Sequence, residues 1–130
     1  DYYASRGLGD VYKRQGLHSF KLNGADISKI NIGIAVYGRP LNGAAFWASW
    51  RALESANYWE SKYYNIPDSN QIYDGTFCAP ALARDKTAYA LLSGAGGVMI
   101  FRADCDKPAD DPNSVTGGIQ DALNRYVTGW

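Results

Sequence analysis

Two short apolar runs and two longer stretches with helical spacing carry the pattern of this chain. Ile30 to Tyr37 (INIGIAVY) reads as a strand, rich in β-branched residues and apolar on both faces across Ile32 to Val36. Continuous apolar character is what a parallel strand covered on both sides requires. Gly38-Arg39-Pro40 is expected to end it, because proline cannot donate to a central ladder. The second run, Val98-Met99-Ile100-Phe101, is opened by Gly96-Gly97 and has the same character. Between them, Pro80 stands where a first helical residue is tolerated. Leu82, Tyr89 and Leu92, with Ala81 and Ala88, make an apolar stripe that Gly94 closes. Ser114 caps a last helix through Ile119, Leu123 and Val127.

The remaining segments fill in the order. Leu17 to Asn23 reads as the end of a helix or an irregular lead-in, closed by Gly24. Residues 42–65 are dominated by Ala, Trp and Tyr, and Phe46, Trp50 and Leu53 predict a helix over Ala44 to Ser55. Asp74-Gly75, between Ile72-Tyr73 and Thr76-Phe77, resembles a small hairpin turn. Asp1 to Gln15 shows neither helical nor strand periodicity, and its GDVYKRQ tail looks like translated linker or adapter sequence. Residues 1–15 are therefore set apart from 16–130 as a non-native segment. What is left reads strand, insertion (about 42–77), helix, strand, helix. That is an α/β arrangement of parallel strands with crossover helices. Two strands do not make a stable sheet, and a closed (β/α)8 barrel needs roughly 250 residues. The elements suit one piece of such a barrel.

Composition narrows the function classes. Thirteen basic residues balance thirteen acidic ones, and no basic run is present. That balance offers no footprint for nucleic acid or anionic lipid. No apolar stretch approaches a membrane span, and the N-terminus lacks the basic and apolar regions of a signal peptide. Two cysteines and one histidine leave no zinc cage and no cofactor motif. Eighteen aromatics (ten Tyr, four Trp, four Phe) on a frame of 14 glycines suit either a large aromatic core or stacking on flat ligands.

Two segments together resemble glycoside hydrolase family 18, the chitinases and their relatives. Ser28 to Arg39 (SKINIGIAVYGR) is similar to the family's seventh barrel strand, K-x-x-x-G-I-P-x-Y-G-R. Gly96 to Asp106 (GGVMIFRADCD) is similar to its eighth, G-G-x-M-x-W-x-x-D-x-D. Lys86, Tyr89 and Ala90 look like the K-x-x-Y-A of the intervening helix, and the insertion lies where many members carry a small subdomain. The resemblance covers about Gly24 to Val127. Ala35 stands in place of the usual proline, and Phe101 in place of the tryptophan on which the reactive sugar stacks. Phenylalanine keeps a stacking face but loses the indole N–H.

The resemblance implies the last two strands and helices of an incomplete (β/α)8 TIM barrel. It also implies a retaining glycosidase acting on β-1,4-linked N-acetylglucosamine polymers, chitin or a related glycan, outside the cell or at its surface. In such enzymes a glutamic acid protonates the glycosidic oxygen while the sugar's own N-acetyl carbonyl attacks the anomeric carbon. The family's D-x-x-D-x-D-x-E motif is absent from these residues, whose only glutamates are Glu54 and Glu60 in the insertion. No catalytic residue is therefore assigned. The strand-end residues Tyr37, Arg39 and Phe101 are the expected sugar contacts: a hydroxyl, a fork of donors and an aromatic floor. Without the resemblance, the same three read as two core aromatics and a solvated charge.

Other residues carry blander expectations. Trp47 and Trp50 are three apart and read as the insertion's own core. Asp104 and Asp106 read as caps of the loop after the strand, since a metal site would need further oxygen ligands. His18 has no assigned role. On the barrel reading Cys78 and Cys105 share one end, either as two separate thiols or as a disulfide closing about 28 residues, worth roughly 3 kcal/mol. Two further functions compete with the glycosidase: an inactive chitinase-like lectin, and an unrelated α/β interaction domain.

Overall fold

The computed structural model describes residues 7–40, 48–55, 75–76 and 78–127, with the side chains of 13–38, 48–53 and 78–127. Phe46, Trp47, the Ile72-Tyr73-Asp74 flank and Phe77 lie outside the described residues. The fold is mixed α/β. A helix, α1 (Gly7–Leu22), leads into strand β1 (Asn31–Ala35), and β2 (Tyr37–Pro40) follows after a bend at Val36. Then come β3 (Ala48–Ser49), α2 (Trp50–Ser55) and β4 (Gly75–Thr76). The helix α3 (Pro80–Leu92), the strand β5 (Gly97–Phe101) and the helix α4 (Val115–Tyr126) complete the order. No helix among the described residues is long and apolar enough to cross a membrane.

β1 and β5 pair in parallel, with Asn31 opposite Gly97 and Ala35 opposite Phe101, and α3 is the connection between them. The strand pleat divides the two apolar runs between two faces. Ile32, Ile34 and Val36 are buried, and with Val98 and Ile100 they meet the helices. The other face carries Gly33, Ala35, Met99 and Phe101, with Met99 and Phe101 about half exposed. Both strands are thus covered on one face rather than two among the described residues. The main core joins Ile34 and Val36 to Trp50, Leu53, Leu82, Ala83, Val115 and Ile119. Burying an aliphatic side chain of this size contributes about 1.5–3 kcal/mol.

The helices correct several expectations. α1 runs from Gly7, through residues that show no helical periodicity, yet it packs on the strands and α3: Leu17 buries against Ile32 and Ala90, Lys13 Nζ donates to the Gly33 carbonyl, and the Arg14 guanidinium lies 4.1 Å from the centre of the Tyr89 ring. The buried face of α3 is Leu82, Ala83, Lys86, Thr87 and Ala90, whereas Leu92 is 73% exposed. A lysine and a threonine enter that face because each finds a partner: Lys86 Nζ donates to Cys78 Sγ at 3.7 Å, and Thr87 Oγ1 to the Ala83 carbonyl at 2.8 Å. On α4 the buried positions are Val115, Ile119 and Ala122, while Val127 caps the end in solvent.

α1 and α3 end alike. Gly24 and Gly94 hold φ of 83° and 78°, which a side chain disfavours. The following amides reach back across the last turn, Ala25 to Phe20 and Ala95 to Ala90, both at 3.0 Å. Just beyond, Gly96 passes so near the Ser28 carbonyl that a Cβ there would sit 2.5 Å from its oxygen. The glycine before the second strand is a packing requirement.

The insertion departs most from expectation. Gly38-Arg39-Pro40 continues as strand, with β2 central in a three-stranded antiparallel sheet of order β3-β2-β4. Tyr37 and Gly38 pair with β3, and Arg39 and Pro40 pair with β4. Proline is tolerated because it occupies the last position of a short ladder. Gly75 is consequently a strand residue opposite Pro40. Helix α2 starts at Trp50, six residues later than the spacing implied, since Ala48-Ser49 are taken by the sheet.

Candidate functional site

Neighbouring parallel strands lie about 5 Å apart, so residues leaving their C-terminal ends on the same face meet. Tyr37, just beyond β1, and Phe101, the last residue of β5, do so: their rings are 6.2 Å apart between centroids with planes at 87°. An edge-to-face pair of this kind is worth about 0.5–1.5 kcal/mol beyond its buried area. The Val36 amide donates to the Phe101 carbonyl at 2.8 Å, tying the bend after β1 to the end of β5. Phe101 remains 54% exposed, a ring available to a ligand. Arg39 lies two residues beyond Tyr37 on β2, its backbone paired with Thr76; its side chain is outside the described set. Tyr37 and Arg39 therefore do not end the first parallel strand, as the pattern implied, but start the antiparallel sheet that follows it.

Phe101 is followed by a tight charged turn, and the peptide between Phe101 and Arg102 is cis. Arg102 grips Asp104 with Nε to Oδ1 at 2.6 Å and Nη2 to Oδ2 at 2.5 Å. The hydrogen bond and charge of Arg102 hold the Asp104 carboxyl below its usual range. Asp106, by contrast, is buried. Its Oδ1 accepts from the amides of Lys107 (2.8 Å) and Val115 (2.9 Å), and its Oδ2 from the Thr116 amide (2.7 Å) and Ser114 Oγ (3.0 Å). Ser114 Oγ itself accepts from the Gly117 amide at 3.0 Å. Asp106 and Ser114 together satisfy the first turn of α4, whose N–H groups have no partner within the helix. Capping is thus the observed work of Asp106, and an ion pair that of Asp104.

Trp50 is buried in the main core, with Nε1 donating to the Asn113 carbonyl at 2.6 Å. Sequence reasoning placed it in the insertion's own core; the structure places it in the core shared with the strands and α4. No disulfide joins Cys78 and Cys105, and both are buried in that same core. His18 is exposed beside Lys21 and Tyr89. No group of three or more His, Cys, Asp or Glu among the described residues can hold a metal ion. A cavity of about 420 Å³ opens between the N-terminal turns of α3 and α4, lined by Arg84, Asp110, Asp111 and Asp121. Neither Tyr37 nor Phe101 lines it, and it holds no chemistry beyond exposed ion pairs such as Arg84–Asp121 at 4.0 Å.

The fold is similar to that of solved enzymes. It superposes on the GH18 chitinase ChiB from the chitin utilization locus of Flavobacterium johnsoniae with a TM-score of 0.68 and 16% identity, over 88% of this chain and 34% of that one. The chain has the fold of part of a GH18 chitinase. A Rhizomucor miehei chitinase gives a TM-score of 0.61 at 20% identity, over 85% of this chain and 38% of that one. The cell-surface multi-modular chitinase ChiW of Paenibacillus gives 0.51 at 16% identity, over 87% and 16%. The chain thus spans about a third of the first two chitinases, and less of the third. No family model and no curated protein matches it. Within this chitinase-like fold, Arg51 and Asp106 are the residues that sequence reasoning left without a site role or saw only as a cap. For Asp106 the legible signal was its place eight residues before the serine that caps α4.

Proposed function

We propose that this chain is the C-terminal part of the (β/α)8 barrel of a chitinase-like glycosidase, with Tyr37, Arg39 and Phe101 contacting an N-acetylglucosamine unit. The observation that carries the reading is the meeting of Tyr37, just beyond the end of β1, with half-exposed Phe101 at the end of the adjacent parallel strand β5, in a fold shared with GH18 chitinases. Phe101 presents the hydrophobic floor for sugar C–H groups, Tyr37 a hydroxyl on a rigid ring, and Arg39 a fork of donors for sugar oxygens. The partner is chitin or another N-acetylglucosamine glycan, met outside the cell or at its surface. The reaction of the whole barrel is hydrolysis with retention, in which the substrate's N-acetyl carbonyl is the nucleophile. The proton for the leaving oxygen comes from a glutamic acid that is not among these residues. Residues 1–15 are read as adapter-derived.

The test is an NMR titration of the chain with chitotetraose, with cellotetraose as control. Shifts confined to Tyr37, Arg39 and Phe101, seen only with the N-acetylated sugar, support the reading. Shifts elsewhere, or equal shifts with both sugars, refute it. The chain is also expected to leave a fluorogenic chitobioside intact, since the missing general acid alone is worth about a hundredfold to ten-thousandfold.

A further inference from the structure

Helix α2 belongs to the insertion in sequence, yet its first two residues are fastened to the segments just beyond both parallel strands. The Trp50 amide donates to the Val36 carbonyl at 3.1 Å, at the bend before Tyr37. Trp50 Nε1 reaches the Asn113 carbonyl, at the entrance to α4. Arg51, exposed and one residue on, donates from Nη2 to the Asp104 carbonyl at 3.1 Å. Asp104 is the residue whose carboxylate Arg102 grips bidentately. The turn that starts at Phe101 is therefore held from two sides: its carboxylate by Arg102, its main chain by Arg51.

From this we infer that Arg51 is a positioning residue for the aromatic pair. Tyr37 and Phe101 sit on opposite ends of one short hydrogen-bonded link, Val36 to Phe101, and Phe101 has more than half its surface in solvent. Packing alone therefore leaves the Phe101 ring loosely held. Trp50 fixes the chain at Val36, immediately before Tyr37, and Arg51 fixes it at Asp104, three residues after Phe101 in the same turn. Adjacent residues of one helical turn thus set the spacing of the two rings. A long cationic side chain suits the task because its terminal N–H donors reach a carbonyl across the turn. The consequence for sugar affinity rests on the reading proposed above; the ring geometry does not.

The experiment separates the two. Ring-to-ring nuclear Overhauser contacts between Tyr37 and Phe101 are measured in the full chain and in Arg51→Ala and Arg51→Lys, with chitotetraose titrated into each. The contact is expected in the original chain, lost or strongly reduced in Arg51→Ala, and restored in Arg51→Lys, whose ammonium keeps a cationic donor for the carbonyl. Saccharide affinity is expected to fall about threefold to tenfold in Arg51→Ala, the value of an aromatic contact. An unchanged contact in Arg51→Ala, with helical dichroism equal to that of the original chain, overturns the inference. So does loss in both variants without recovery by lysine, which marks Arg51 as structural only. A contact that follows Arg51 in a chain that binds no saccharide leaves the positioning role standing and removes the sugar reading.

Discussion

Two adjacent glycines in the first turn of α4 should respond to alanine with opposite signs. In a helix, Gly→Ala normally stabilises by up to about 1 kcal/mol, because glycine loses more backbone freedom on folding. At Gly117 an added Cβ meets the Ala109 carbonyl and the Ser114 side chain at 3.4 Å, which small adjustments accommodate. At Gly118 it lands 2.3 Å from the Pro80 carbonyl oxygen and 3.0 Å from its carbon. That atom is main chain at the first residue of α3, so no side chain can swing aside. The two helices must part by roughly 1 Å to restore van der Waals distance, and overpacking on this scale costs about 1–3 kcal/mol. Because α3 and α4 both pack into the main core through Leu82, Ala83, Val115 and Ile119, separation also loosens those contacts. Gly118→Ala is expected to destabilise by a net of about 2 kcal/mol, and Gly117→Ala to be neutral or mildly stabilising. Urea unfolding followed by circular dichroism at the helical band reads both, with the slope compared between variants to show that the same surface is exposed. A Gly118→Ala chain as stable as the original would refute the close approach of α4 to Pro80 and, with it, the geometry that holds the entrance to α4.

Asp106→Asn should lower stability by about 2–4 kcal/mol in the same assay, because the amide nitrogen would face the Thr116 amide or the Ser114 hydroxyl where an acceptor is needed. Phe101→Ala should weaken chitotetraose binding about tenfold, while Phe101→Trp should retain or tighten it; titration calorimetry distinguishes the two, and equal affinity in all three chains would sink the floor role. Asp104 and Asp111 are both held below the usual 3.8, the first by the Arg102 hydrogen bond and the second by the Asn113 amide and Lys107. A folded-state value below the unfolded one gives stability that is present above 3.8 and is lost as pH falls through the folded value. Asp104→Asn and Asp111→Asn should each flatten the acid limb of a melting-temperature profile below about pH 4, chiefly by lowering its neutral end, and an unaltered acid limb in both would contradict these pairings.

The parts legible in the sequence were those governed by local rules. Periodicity located β1, β5, α3 and α4, since a buried strand or helix face needs apolar residues at fixed spacing wherever it packs. Gly24, Gly94 and Ser114 marked ends correctly because capping depends on residues within one turn. The pairing of Tyr37 with Phe101 was reached only through a family resemblance, as the two are far apart along the chain and nothing local links their rings. What tertiary structure decided were the contests between a local rule and a distant partner. Pro40 stayed in a strand because β4 met it at the ladder's end. Lys86 entered the core because Cys78 offered a sulfur acceptor. Trp50 left the insertion's expected core because the Asn113 carbonyl and the Val36 main chain lay within its reach. Each outcome is set by a hydrogen-bond partner outside the local turn, and a buried polar group costs too much to be left without one.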